Sequence, residues 1–212
     1  MIRNISCLFI LVVMLAISAY AYNIIPDSIA MQYSMDGIGY QFLNKNIAVL
    51  YYPAIYAVVI LITLFFHKKS PKQFEIKNST NAIKEVIIAA GILMLAFHYC
   101  RLVNYENSGS NLAIISYSLA LFIMIIGHSM KNIGPNFMVG YRLPWTLADA
   151  DNWRSTHKLA NNVNLLLGGT LIIATAIHPS VNAVIIFLVF SVLIPSAYSF
   201  YLFHTNSSGK MR

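Results

Sequence analysis

Acidic residues are scarce in this chain. Its 212 residues include 7 Asp plus Glu, all charged types together make 10%, and there are two cysteines. An ordinary soluble domain carries roughly a quarter charged residues, so a water-facing surface of normal polarity is excluded. Cys7 and Cys100 lack the spacing of a disulfide scaffold, a zinc finger or a redox pair. They read as small buried hydrophobes. There is no His-Glu-x-x-His, no Gly-x-Ser-x-Gly and no phosphate-cradling glycine loop, which leaves those enzyme classes without their constellation. The acids Asp27, Asp36, Glu75, Glu85, Glu106, Asp149 and Asp151 fall in loops or at the ends of apolar runs. A proton or cation carrier usually keeps an acid at membrane depth, so this placement argues against a transporter. The expectation is a protein that is not an enzyme and holds no cofactor. A zinc site at His128 and His157 would lack its third and fourth ligands.

What fills the chain is apolar sequence, 58% of it. Six runs stand out, at Ile5–Tyr22, Ile47–Phe66, Ala82–Leu102, Leu112–Met130, Ala160–Ile177 and Val181–Phe203, each 18 to 23 residues long. About 20 apolar residues carry a helix across the hydrocarbon. Lipid offers no partner for backbone N–H and C=O, which leaves helices or a closed barrel. Runs such as Val58 to Ile62 and Ile185 to Phe190 do not alternate in polarity as barrel strands must. The fold expected is all-α: an integral membrane six-helix bundle in a lipid bilayer.

The basic residues divide twelve against two on alternate sides of these spans, with only Lys45 and Arg101 on the poorer side. The positive-inside rule then predicts both termini in the cytoplasm and a multi-pass protein of the cell membrane. The charge of +7 is thereby topological, and no groove-reading motif calls for nucleic acid. The first run can also be read as a cleaved signal peptide, since Arg3 precedes it and Ala19-Tyr20-Ala21 ends it. Its length favours a retained helix.

Two units are expected. Residues 1–80 form two spans with a loop of about two dozen residues outside, Asn23–Asn46, and a polar hinge at His67–Asn81. Residues 82–212 form four spans around one long cytoplasmic loop, 131–159. In that loop Pro135 and Pro144 forbid a continuous helix, while Gly134 and Gly140 permit sharp turns. Thr146 with Asp149 resembles a capping pair, which predicts a helix from about Thr146 running on into the fifth span. The apolar content of the loop, Phe137, Leu143, Trp145 and Trp153, predicts that it folds against the membrane. On the predicted helix Trp153, His157, Asn161, Asn164 and Gly168 share one face. Asn161 and Asn164 form a polar intramembrane stripe suited to helix-to-helix hydrogen bonds or to a permeation path. His157 is the titratable group on that face. Arg142 between Gly140 and Pro144 offers a planar fork to a carboxylate, phosphate or carbonyl cluster. The plainer alternative makes Trp145, Trp153 and the nearby cations interface anchors. His98 and Arg101, near the outer end of the third span, read as ordinary bundle residues, Arg101 reaching toward water.

Taken together, Asn136, Gly140, Arg142, Pro144, Trp145, Thr146, Leu147, Trp153, Thr156 and His157 resemble the signature of the SdpI family of bacterial membrane proteins. Leu143 stands where the family usually has Thr, and Tyr141 where it has an aliphatic residue. The N-terminal unit resembles a domain of unknown function often found ahead of that signature, through Pro26, Gly37 and Lys45. Gln32-Tyr33-Ser34 occupies the place of a His-Trp-Asn-like triplet. The resemblance implies immunity to a secreted toxic peptide, signalling by holding a cytoplasmic repressor at the membrane, or both. The alternative function is a small solute or ion permease using the Asn161 and Asn164 stripe.

Overall fold

The computed structural model describes residues 2–33, 39–69, 80–105, 107–131, 133–136 and 139–209. The element order is α1 (Ile2–Ala21), β1 (Ser28–Tyr33), β2 (Gly39–Asn44), α2 (Lys45–Lys69), α3 (Thr80–Leu102), α4 (Ser108–Met130), α5 (Pro144–Ala148), α6 (Ala150–Ile177) and α7 (Val181–Gly209). Five of these, α2, α3, α4, α6 and α7, are long and apolar enough to cross a membrane, so this is a multi-pass membrane protein. The apolar part of α1, Ile5–Ala21, is shorter.

The all-α expectation needs two corrections. The segment expected to be a loop contains an antiparallel hairpin, β1 against β2, with Ser28 opposite Asn44 and Tyr33 opposite Gly39. Ile25, Ile29 and Met31 bury against Ala21, Val49 and Leu102, which seats the hairpin on the ends of α1, α2 and α3. A lone hairpin is marginal in water, and this apolar seat supplies what it lacks. The second correction concerns the helix expected to start at Thr146. The chain breaks at Asp149 (φ −135°, ψ 114°), so a short α5 precedes a separate α6. Asp149, rather than Thr146, caps the long helix, accepting from the N–H groups of Asp151 and Asn152.

The hairpin and the α3–α4 turn lie at one end of the bundle, called here the hairpin end. The segment between α4 and α6 lies at the other, the loop end. α3 packs against α1 and α2 on one side and α4 on the other, and α4 makes its largest contact with α6. Glycines permit that approach. A Cβ on Gly127 would stand 2.6 Å from the Cβ of Asn164, and one on Gly168 would come within 2.8 Å of the Ala120 carbonyl.

A helix-interior proline creates one cross-helix bond. Proline has no N–H, so the carbonyl four residues earlier loses its helical donor. In α2, Pro53 leaves the carbonyl of Val49, and Ser18 of α1 donates its hydroxyl there at 2.6 Å. His98 of α3 is wholly buried, its Nε2 3.1 Å from the same Ser18 oxygen and 3.0 Å from the Met14 carbonyl. These bonds fasten α1 to α2 and α3. Cys7 and Cys100 are free and buried.

Candidate functional site

The loop end is organised around the main chain of Tyr141. Its N–H donates to Nε2 of His157 at 3.0 Å, and its carbonyl accepts the Thr146 hydroxyl at 2.6 Å. Thr146 Oγ1 also accepts from the Leu143 N–H at 2.9 Å, closing the turn into α5, where Pro144 takes the first position that needs no donor. Because Nε2 of His157 accepts, the ring proton sits on Nδ1 and points to the Trp153 carbonyl at 2.7 Å. Both imidazole nitrogens are thus committed to backbone. This changes the sequence reading of His157 as a group poised to change charge, because protonating Nε2 breaks its bond to Tyr141. It also leaves no ring nitrogen for a metal shared with His128. Among the described residues no cluster of three or more His, Cys, Asp or Glu could hold a metal ion.

Gly140 makes the approach possible. Its φ is +128°, a region that L side chains rarely enter, and a Cβ there would collide with His157 Nε2 and reach within 3.0 Å of the Trp153 ring. The Trp153 indole stacks on the His157 imidazole, with centroids 4.1 Å apart, and donates its Nε1–H to the Ile133 carbonyl at 2.8 Å. Asn136 folds the preceding turn. Its amide donates to the Gly134 and Val139 carbonyls and its Oδ1 accepts the Val139 N–H at 2.8 Å. The buried Asn136, Thr146, Trp153 and His157 are thereby joined through the backbone of Ile133, Val139 and Tyr141, whereas the buried Thr156 bonds Asn152 instead. Phe137 lies outside the described residues.

Two other expected site residues point elsewhere. Arg142 is exposed, as is Pro144 beside it. The Trp145 ring packs on α7, 5.3 Å from Phe200 and 6.0 Å from Phe203 between centroids. On α6, Asn161 and Asn164 are buried against α4, and the Oδ1 of each has no hydrogen-bond partner among the described residues. The Asn161 amide donates to Asn162 at 2.8 Å.

Sequence reasoning missed two connections to α7. Tyr141 donates its hydroxyl to the Ser191 carbonyl at 2.5 Å. Burial pushes the Tyr141 pKa above its ordinary value, while a hydrogen bond from the Asn164 side chain works the other way. Asn152 donates to the Ser199 carbonyl at 3.0 Å and accepts the hydroxyls of Ser199 and Thr156 at 2.9 and 3.0 Å. The available signal was the i, i+4 pair of Asn152 and Thr156; Ser199, 47 residues away, gave none.

Residues 132–199 match the SdpI/YfhL protein family. Immunity protein SdpI of Bacillus subtilis (strain 168) is 23% identical over 170 residues, covering 78% of this chain and 78% of that protein. No solved structure matches. The matched segment runs from the loop through α5 and α6 to Ser199 on α7, so the bonds of Tyr141 to His157, Thr146 and Ser191 lie within the part of the chain that carries the SdpI/YfhL family pattern.

Proposed function

We propose that this protein confers immunity to a secreted toxic peptide from the cell membrane, by binding rather than by catalysis. The single observation that carries the reading is that the family segment contains the hydrogen-bonded cradle around Tyr141. Gly140, Thr146 and His157 grip both backbone polar groups of Tyr141, and the next residue, Arg142, is presented outward. An interfacial anchor needs Trp and Arg at the right depth, not a glycine, a threonine and a histidine fixing the backbone between them. The relative named as an immunity protein supports the same reading.

In this reading the six apolar runs, α1 included, all span, both termini face the cytoplasm, and the loop end carries the signature inside the cell. The exposed Arg142, Pro144 and Leu147 then form the face available to a cytoplasmic repressor. The N-terminal unit, 1–80, is the accompanying domain, its Lys45 paired with Asp27 at 2.8 Å. Gly37 of its motif lies outside the described residues. The test is survival. A toxin-sensitive host expressing this chain is challenged with culture fluid from strains that secrete toxic peptides. Protection at confirmed membrane abundance supports immunity, and equal killing with and without the chain refutes it. A permease reading draws on the Asn161 and Asn164 oxygens, which have no hydrogen-bond partner among the described residues. It is separated by uptake measurements in proteoliposomes, where an Asn164→Leu change should then abolish flux.

A further inference from the structure

We propose that the groove between α4 and α7 at the loop end holds one acyl chain of a phospholipid, which backs Tyr141 from the membrane side. Both helices pack on α6 and touch each other sparsely, and a cavity of about 320 Å³ remains between them. Phe122, Ile126 and Met130 of α4 line it opposite Leu188, Ser191 and Val192 of α7, and Tyr141 of the loop is among its walls. Depth is the first observation that names the guest. The apolar span of α4, Ser110–Met130, has 21 residues, about 31 Å at the helical rise, so Met130 stands at the edge of the roughly 30 Å hydrocarbon layer. From Phe122 to Met130 the lining then covers about 12 Å of rise, most of one leaflet. Water is absent there, which leaves a lipid chain or another helix. Volume decides between them. A single helical turn about 10 Å across and 5.4 Å long fills about 400 Å³, more than the whole cavity, whereas a string of methylenes enters so narrow a gap.

Chemistry is the second observation. The polar side chains of the lining are committed within the protein. Tyr141 gives its hydroxyl to the Ser191 carbonyl, and Ser191 gives its own to the Leu188 carbonyl at 2.7 Å. Asn164 is 3% exposed, with its Oδ1 buried. A headgroup or a peptide main chain would bring its own polar groups against this lining, which costs free energy; a hydrocarbon chain does not. Tyr141 is half-buried and packs with Ile126 on the cluster of Met130 and Trp153. An empty groove would therefore leave a void beside the bond that ties the loop to α7.

The inference is independent of the immunity reading, since no toxin enters its test. The full chain is purified in a maltoside detergent, supplied with phosphatidylcholine or phosphatidylglycerol, and examined by native mass spectrometry as the detergent is raised. One phospholipid per chain should be retained, and to within about twofold equally for the two headgroups. Ile126→Trp, whose ring fills the groove, should lower the retained fraction about fivefold. Val192→Phe, at a position 57% exposed, disturbs the core less and should lower it about twofold. Leu166→Trp, on a face of α6 that is 70% exposed, should leave it unchanged. A phosphatidylcholine with a diazirine in the middle of one acyl chain should label residues 122–130 and 188–192 of the complex that retains it. No retained phospholipid, undiminished retention in Ile126→Trp or in Val192→Phe, an equal loss in Leu166→Trp, or labelling confined to other segments overturns the proposal. Retention that requires the anionic headgroup assigns a headgroup site and overturns it. A dimer that excludes lipid assigns the groove to a second copy of the chain and overturns it too.

Discussion

Tyr141 donates its hydroxyl to the main-chain carbonyl of Ser191, the carbonyl that Pro195 leaves without a helical donor. A proline inside a membrane helix forfeits one backbone bond, and the lipid cannot replace it. Here the loop replaces it, so α7 is completed by a side chain from the segment that carries the family pattern. Ser18 and Val49 repeat the device around Pro53.

Tyr141→Phe should therefore cost about 0.5–1.5 kcal/mol, the usual net value of one hydrogen bond, with little change of shape. Pro195→Ala restores the N–H that Ser191 lacks, so the same Tyr141→Phe change should cost less in that background. Unfolding of the four proteins in detergent micelles measures the coupling. Equal costs in both backgrounds would show that the two residues act independently.

The Tyr141 hydroxyl also gives a pH dependence. Burial raises its pKa above the ordinary 10.0, and only the protonated form donates to Ser191. Its contribution is therefore intact below pH 10 and is lost as pH rises through the folded value. Ultraviolet titration of the unaltered chain minus Tyr141→Phe should show a tyrosine that ionises later than a free one. A difference curve centred at or below pH 10 contradicts this.

Gly140→Ala tests the cradle. The new methyl would collide with His157 Nε2 and sit at an unfavourable φ, a strain of about 1–3 kcal/mol. The loop should come away from Trp153 and His157 while the apolar helices still insert. Proteolysis at residues 133–149 should accelerate at unchanged membrane abundance; unchanged proteolysis removes Gly140 from the argument.

The five long apolar helices were legible because lipid imposes one length and one kind of backbone satisfaction, and the shared face of Trp153, His157, Asn161 and Asn164 followed from helical spacing alone. The hairpin was not. Its strands are six residues each, and their pairing depends on a seat formed by Ala21, Val49 and Leu102 from three helices. The break at Asp149 was hidden because Thr146 and Asp149 both suit a helix start, and only the backbone angles decide between them. Ser191, Ser199 and Pro195 looked like ordinary members of an apolar run. The partners of Ser191 and Ser199 lie 50 and 47 positions away, and no periodicity encodes such a pairing.

Asn152 and Ser199 should prove coupled. Each is buried, and Asn152 links α6 to α7 through both ends of its amide. Polar bonds between membrane helices average about 0.6 kcal/mol, with a maximum near 1.7, and a fully satisfied pair belongs toward the upper value. A double-mutant cycle of Asn152→Leu and Ser199→Ala measures it, and additive effects would show that the network contributes nothing beyond packing.

The loop residues Arg142, Trp145 and His157 should separate function from folding in three different ways. Arg142 is exposed, so Arg142→Lys should leave stability unchanged while reducing protection or repressor capture, because lysine keeps the charge and loses the planar fork. Trp145 packs on Phe200 and Phe203, so Trp145→Phe should retain most of its effect on both function and stability, and Trp145→Ala should loosen α5 from α7. His157 holds the Tyr141 N–H through Nε2, so His157→Gln should disturb the loop and, through it, the placement of Arg142. Nitrogen NMR of labelled histidine should find His157 with its proton on Nδ1. The functional readout is survival under toxin challenge, or reporter output where a repressor is the partner, at matched membrane abundance. If Arg142→Lys and His157→Gln both protect as well as the unaltered chain, the loop is an anchor and the cradle positions nothing of consequence. If Arg142→Lys alone fails while His157→Gln protects, Arg142 acts without needing the cradle, and the proposed link from Gly140 and His157 to its placement is wrong.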